Sequence, residues 1–99
     1  MFRQAGLVAE MTARLRRRVD FDFPSPGSSS EVARIVAETS GSERMQSAIV
    51  LCAAGDLERL RCAVRLANAD WRDVLVNAGL ADEDWRERLD AELGSQTSS

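Results

Sequence analysis

Residues 42 to 67 read SERMQSAIVLCAAGDLERLRCAVRLA, and this stretch decides the fold. Ser42 opens it with a side-chain oxygen suited to accept a hydrogen bond from the free amides of a first helical turn. Behind it Met45, Ile49, Cys52 and Ala53 recur at three- and four-residue spacing, the repeat that lines up one face of a helix. Gly55 stands where a left-handed residue ends such a helix, and Asp56 is placed to cap the next. In that next helix Leu57, Leu60, Val64 and Ala67 form the apolar stripe, while Glu58, Arg59, Arg61 and Arg65 fall on other faces. Two amphipathic helices joined by a tight turn imply an all-α protein.

The same punctuation continues toward the C-terminus. Asp70-Trp71-Arg72-Asp73-Val74-Leu75 and Asp84-Trp85-Arg86-Glu87-Arg88-Leu89 share the pattern Asp-Trp-Arg-acid-x-Leu. Each predicts a helix start: the aspartate caps, the acid three residues on reaches back toward the cap's own amide, and both favour the positive end of the helix dipole. Gly79 and Gly94 are the matching stops. Trp71 and Trp85, each at a first helical position beside Val74, Leu75 or Leu89, are expected to be at least largely buried, with the indole N–H at the edge of the core. Ser28, Ser42 and Asp56 extend the cap spacing backward, but helices of about ten residues with short connections produce that spacing without any repeat.

Toward the N-terminus, Ser28 and Glu31 have capping-box spacing, Ser30 is an alternative cap, and Gly41 closes a helix whose face is Val32, Ile35, Val36 and Thr39. Pro24 to Ser30 reads as a linker. Val19-Asp20-Phe21-Asp22-Phe23 alternates strictly between apolar and polar, which predicts a short extended segment. Before it Leu7, Val8, Met11 and Leu15 mark an amphipathic first helix, with Arg14, Arg17 and Arg18 grouped on another face. The expected organisation is therefore an N-terminal helix plus extended segment (1–23), a linker (24–30), a compact helical domain (31–93) and a flexible tail (94–99). Together they make a compact bundle of about five to six short helices.

A chain of 99 residues with 44% hydrophobic content supports one domain with one modest core. Its net charge of -3 is unevenly placed: residues 1–19 carry five arginines against Glu10, and residues 70–93 carry eight acids against three arginines. All cationic side chains are arginine, a composition that fits a GC-rich coding bias. Without histidine, lysine or tyrosine, most general-base and Schiff-base arrangements are closed, leaving carboxylates, serines and two thiols. The acids of residues 82–92 alternate with Arg86 and Arg88 at the spacing of surface ion pairs. No glycine pattern matches a phosphate loop and no run of acids matches a calcium loop. No catalytic residue, metal or cofactor is expected, and no small-molecule substrate is indicated. Cys52 and Cys62 read as two small buried apolar residues in a reduced compartment. Arg3 and Glu10 interrupt any early signal sequence, and the apolar run Ala48 to Ala54 is too short to span a bilayer, so a cytoplasmic location without membrane contact is expected.

By elimination the function expected is a non-catalytic one, exercised through contacts with a protein partner or a second copy. The candidate surface is Leu7, Met11, Arg14, Leu15, Arg17, Arg18, Phe21 and Phe23, which either packs back on its own core or engages a partner. The rival is a nucleic-acid-associated protein using Arg14, Arg17 and Arg18; Asp73, Asp82, Glu83, Asp84, Glu87 and Asp90 carry the wrong sign for phosphates and disfavour it. A carboxylate-based enzyme is the second alternative. The stretch Ala53 to Arg61 resembles the inner part of an ankyrin repeat, without its Thr-Pro-Leu-His start. Asp70 to Leu75, with Ala78-Gly79-Leu80 and Asp84-Trp85, is similar to the C-terminal part of small uncharacterised bacterial helical proteins; that resemblance implies a bacterial cytosolic protein and brings no activity with it.

Overall fold

A computed structural model describes residues 11–94. Among them are six helices and no strand: α1 (Ala13–Asp22), α2 (Pro26–Thr39), α3 (Glu43–Ala53), α4 (Leu57–Ala69), α5 (Trp71–Ala78) and α6 (Trp85–Leu93). The centre is α3, on which all five other helices pack. Its composition accounts for that position. After Glu43 and Arg44 it carries no charge, and Gln46, Ser47, Ala48, Ile49 and Val50 are buried in succession, so the helix is enclosed on every side. Gln46 Nε2 donates to the Ser40 carbonyl at 2.7 Å and ties α3 to the end of α2.

The expected caps of the central hairpin are in place. Ser42 Oγ accepts from the Met45 amide at 3.2 Å, and Asp56 Oδ1 from Glu58 and Arg59 at 2.8 and 3.2 Å. Between the helices Ala54 and Gly55 both adopt positive φ, 50° and 81°, and a Cβ on Gly55 would lie 3.2 Å from the Asp22 carbonyl oxygen at the end of α1. A left-handed backbone costs a residue with a Cβ about 1–2 kcal/mol. Gly55→Ala should therefore destabilise by at least about 1 kcal/mol, whereas Ala54→Gly should stabilise by about 0.5–1 kcal/mol, both read by urea denaturation. Equal effects of one sign would contradict this turn.

The end of α5 is a Schellman closure. Leu80 N–H donates to the Leu75 carbonyl at 2.9 Å and Gly79 N–H to Val76 at 3.1 Å, with Gly79 at φ 78°. The motif turns Leu80 inward, and it is fully buried although it lies outside any helix.

Three expectations about the N-terminal half need correction. Val19 to Phe23 is not extended, because α1 runs through Asp22. Val19 and Phe23 fall one and two helical turns after Leu15 and join it in the core, while Phe21 points outward at 81% exposure. Arg16–Asp20 and Arg18–Asp22 pairs, at 3.2 and 3.0 Å, bridge successive turns of that helix. The supposed linker is mostly helix: α2 begins at Pro26, whose fixed φ suits a first helical position, so Ser28 and Ser30 lie inside it rather than capping it. Gly41 is not a left-handed stop, since α2 closes on Ser40 in an extended conformation. With α1 supplying Leu15, Val19 and Phe23 to the same core as α3 to α6, the described residues form one packed unit.

Candidate functional site

The expected interaction surface on the first helix is largely spent on the chain itself. Leu15 and Phe23 are buried beneath neighbouring helices, and Met11 is half-buried against the core. Arg14, expected on an outer basic face, is only 7% exposed. Its guanidinium grips Glu43 with two bonds, Nε to Oε2 at 2.8 Å and Nη2 to Oε1 at 2.9 Å; Nη1 donates to Asp90 and, at 2.8 Å, to the Gly94 carbonyl. One side chain thus joins α1 to the start of α3 and to α6. Arg18 is committed to Asp22 and to the Glu92 side chain and carbonyl. Only Arg17 and Phe21 of the proposed set remain as exposed side chains, and Leu7 lies outside the described residues.

The Arg14 clamp has an electrostatic consequence. Arg14 holds the Glu43 carboxyl below its ordinary range, chiefly through the hydrogen bonds, against an opposing cost of burial, while Arg14 itself is pushed upward. A carboxylate whose folded pKa is depressed contributes stability that is fully present above its unfolded pKa, about 4.3, and is lost as pH falls through the folded value. Urea denaturation at a series of pH values should therefore show stability declining on the acid side, with a shallower decline in Arg14→Ala. An unchanged acid limb would contradict the assignment.

The fold leaves open one groove of about 400 Å³ lined by Met11, Arg16, Ser30, Ala33, Arg34 and Ala37, and another at the first turn of α3. The latter has Met45, Ala67, Leu75 and the Trp71 ring as its apolar lining and Thr39, Ser40, Ser42 and Arg44 as its polar end, and its volume is about 400 Å³. Trp71 comes to the mouth for a local reason. Asp70 Oδ1 accepts from the Arg72 amide at 3.2 Å and starts α5 one residue before the tryptophan, so Val74 and Leu75 reach the core while the ring stays half exposed. The expectation that both tryptophans are largely buried thus fails for Trp71, which is 53% exposed with the Arg72 guanidinium 5.3 Å from its ring, and holds for Trp85, which packs against the core with Arg44 and Arg86 at 4.7 and 4.6 Å. Asp84, unlike Asp70, makes no capping bond, so the two similar segments begin their helices differently.

The polar end of the groove offers donors from Ser40, Ser42 and Arg44, while the Thr39 hydroxyl gives its proton to the Ile35 carbonyl at 2.8 Å. Ser40 Oγ already accepts from the Ser42 amide at 3.1 Å and Ser42 Oγ from Met45, which leaves each hydroxyl its proton to give. Arg44 is anchored by Nε to the Leu80 carbonyl at 2.9 Å and backed by Trp85. Glu43, between Ser42 and Arg44 in sequence, is held by Arg14 and Thr12 and does not line the groove.

A third, smaller groove of about 200 Å³ is lined by Cys52, Arg59, Cys62, Asn77, Ala63, Leu66 and Val74. Both thiols are free; Cys62 is exposed rather than buried as expected, and burial pushes the Cys52 thiol upward, away from the reactive thiolate. The acids Asp70, Asp73, Asp84 and Glu87 are exposed in the first turns of α5 and α6, two helices that do not pack on each other, so they do not converge on one point. Among the described residues no three histidine, cysteine or acidic side chains are grouped to hold a metal, and no helix is long and apolar enough to cross a membrane. The chain matches no family model, no curated protein and no solved structure.

Proposed function

We propose that this chain is a non-catalytic helical protein of the bacterial cytoplasm that acts by binding another protein, and that the Trp71 groove is where it binds. One observation carries the reading: the largest aromatic side chain of α5 is half exposed at the mouth of an apolar groove, in a chain whose other large apolar side chains are mostly enclosed. Tryptophan is the residue most enriched among the few that dominate protein interfaces, and a rigid ring beside a pre-formed hollow loses little entropy on contact. Solvated first-turn acids and an elevated Cys52 thiol give catalysis little to work with. The nucleic-acid reading loses support because Arg14 and Arg18, two of its three arginines, are tied to acids of the same chain. Amide chemical-shift mapping with a library of small aromatic and aliphatic fragments tests the proposal. Shifts should cluster at residues 39–45, 67 and 71–75 and vanish in a folded Trp71→Ala variant. Shifts confined to Arg17 and Phe21 on α1, or undiminished in the variant, would overturn it.

A further inference from the structure

The groove's chemistry is lopsided, and that asymmetry describes its partner. Its apolar end offers Met45, Leu75 and the Trp71 ring; its polar end offers the Ser40 and Ser42 hydroxyl protons and the Arg44 guanidinium. Arg72 stands over Trp71. No carboxylate lines the groove, because Glu43 is held by the Arg14 clamp. A cationic partner residue would meet Arg44, and the Trp71 ring, the aromatic face that attracts cations, is already shared with Arg72. An acceptor carrying negative charge meets the Ser40 and Ser42 hydroxyls and the Arg44 guanidinium, while Thr39, whose proton goes to the Ile35 carbonyl, offers no donor.

Resting on the proposal that the groove binds a protein, we infer that its partner is a linear peptide segment presenting an apolar side chain next to one carboxylate, an Asp or Glu. The apolar side chain fills the hollow against Met45, Leu75 and Trp71, and the carboxylate accepts from Arg44 and the serine hydroxyls. A free small acid fits less well, because pockets for small ligands enclose most of the ligand's surface and this one is bounded by a half-exposed tryptophan. The acidic turn Asp82-Glu83-Asp84 follows Leu80, to which Arg44 is anchored, and is exposed with no ion pair to Arg44. That turn repels a long acidic tract, so a single carboxylate beside the anchor is the fit.

Selection of a displayed library of random 12-residue peptides on the full chain tests this. Recovered peptides should share an apolar residue close to one Asp or Glu, bind in a Trp71-dependent way, and weaken about tenfold when the acid is changed to its amide. That tenfold difference should shrink in Arg44→Gln; because Arg44 also anchors the Leu80 carbonyl, Ser40→Ala, which removes one hydroxyl donor and leaves Arg44 in place, serves as the second variant and should shrink it too. Peptides that need Trp71 but tolerate the amide overturn the carboxylate inference and leave the docking proposal standing. Peptides indifferent to Trp71→Ala, or no peptides at all, overturn both. Self-association of the chain that Trp71→Ala abolishes would assign the groove to a second copy and also overturn the inference.

Discussion

Arg14→Ala should lower the stability of this protein by about 3 kcal/mol, because removing one partner of a buried ion pair strands the other. The loss has unequal parts. Glu43 keeps only 20% side-chain exposure and loses two of its three bonds, keeping the one from Thr12, so its share is large; Asp90 is 51% exposed, and its ion pair is discounted heavily for solvent screening. The carbonyl of Gly94 loses a donor, and the aliphatic stem of the arginine no longer covers the core. Because the clamp joins three helices, urea denaturation should show one cooperative transition moved to lower denaturant rather than early release of α1. A double-mutant cycle with Glu43→Ala should return a coupling above about 1 kcal/mol. Stability within about 0.5 kcal/mol of wild type would place Arg14 on the surface and remove the clamp from the account.

The second large effect separates two aromatic residues only two positions apart. Phe23→Ala should cost about 3–5 kcal/mol, the usual range for emptying a buried phenylalanine site, whereas Phe21→Ala should stay within about 0.5 kcal/mol. At the size of this chain the first corresponds to a Tm lower by about 12 °C or more. The contrast follows from helical geometry: Phe23 is 5% exposed and Phe21 81%. An extended segment would put both rings on one side and make the two substitutions comparable, and that outcome would restore the reading the structure corrects.

These residues also show what a sequence reveals and what it withholds. Caps are local chemistry, a side chain bonding an amide two or three residues on, and Ser42, Asp56 and Asp70 are therefore readable directly. Val19 to Phe23 satisfies two periods at once. Alternation is visible within five residues, but the helical stripe appears only when Leu15 is included, and the deciding signal was the four-residue spacing of Arg16 with Asp20 and Arg18 with Asp22. Arg14 could not be distinguished from its basic neighbours in this way, since its partners Glu43 and Asp90 lie 29 and 76 residues away. The tryptophans follow the same rule. Their flanking sequences match, but Trp85 is packed beneath Arg44 from a distant helix while Trp71 meets only the adjacent Arg72 over its ring. Local pattern located both helix starts; tertiary packing alone decided which ring faces a groove.

The central claim is that Trp71 sits at the open mouth of that groove while α1 is folded into the core. Steady-state fluorescence of the Trp85→Phe variant, in which Trp71 is the sole indole, measures it directly through emission wavelength and acrylamide quenching. Emission should be red-shifted, quenched by acrylamide at a level between those of a buried indole and free tryptophan amide, and should move to the blue when a groove-binding peptide is added. Blue-shifted emission in the unliganded chain, resistant to acrylamide, would place Trp71 in the core and contradict it.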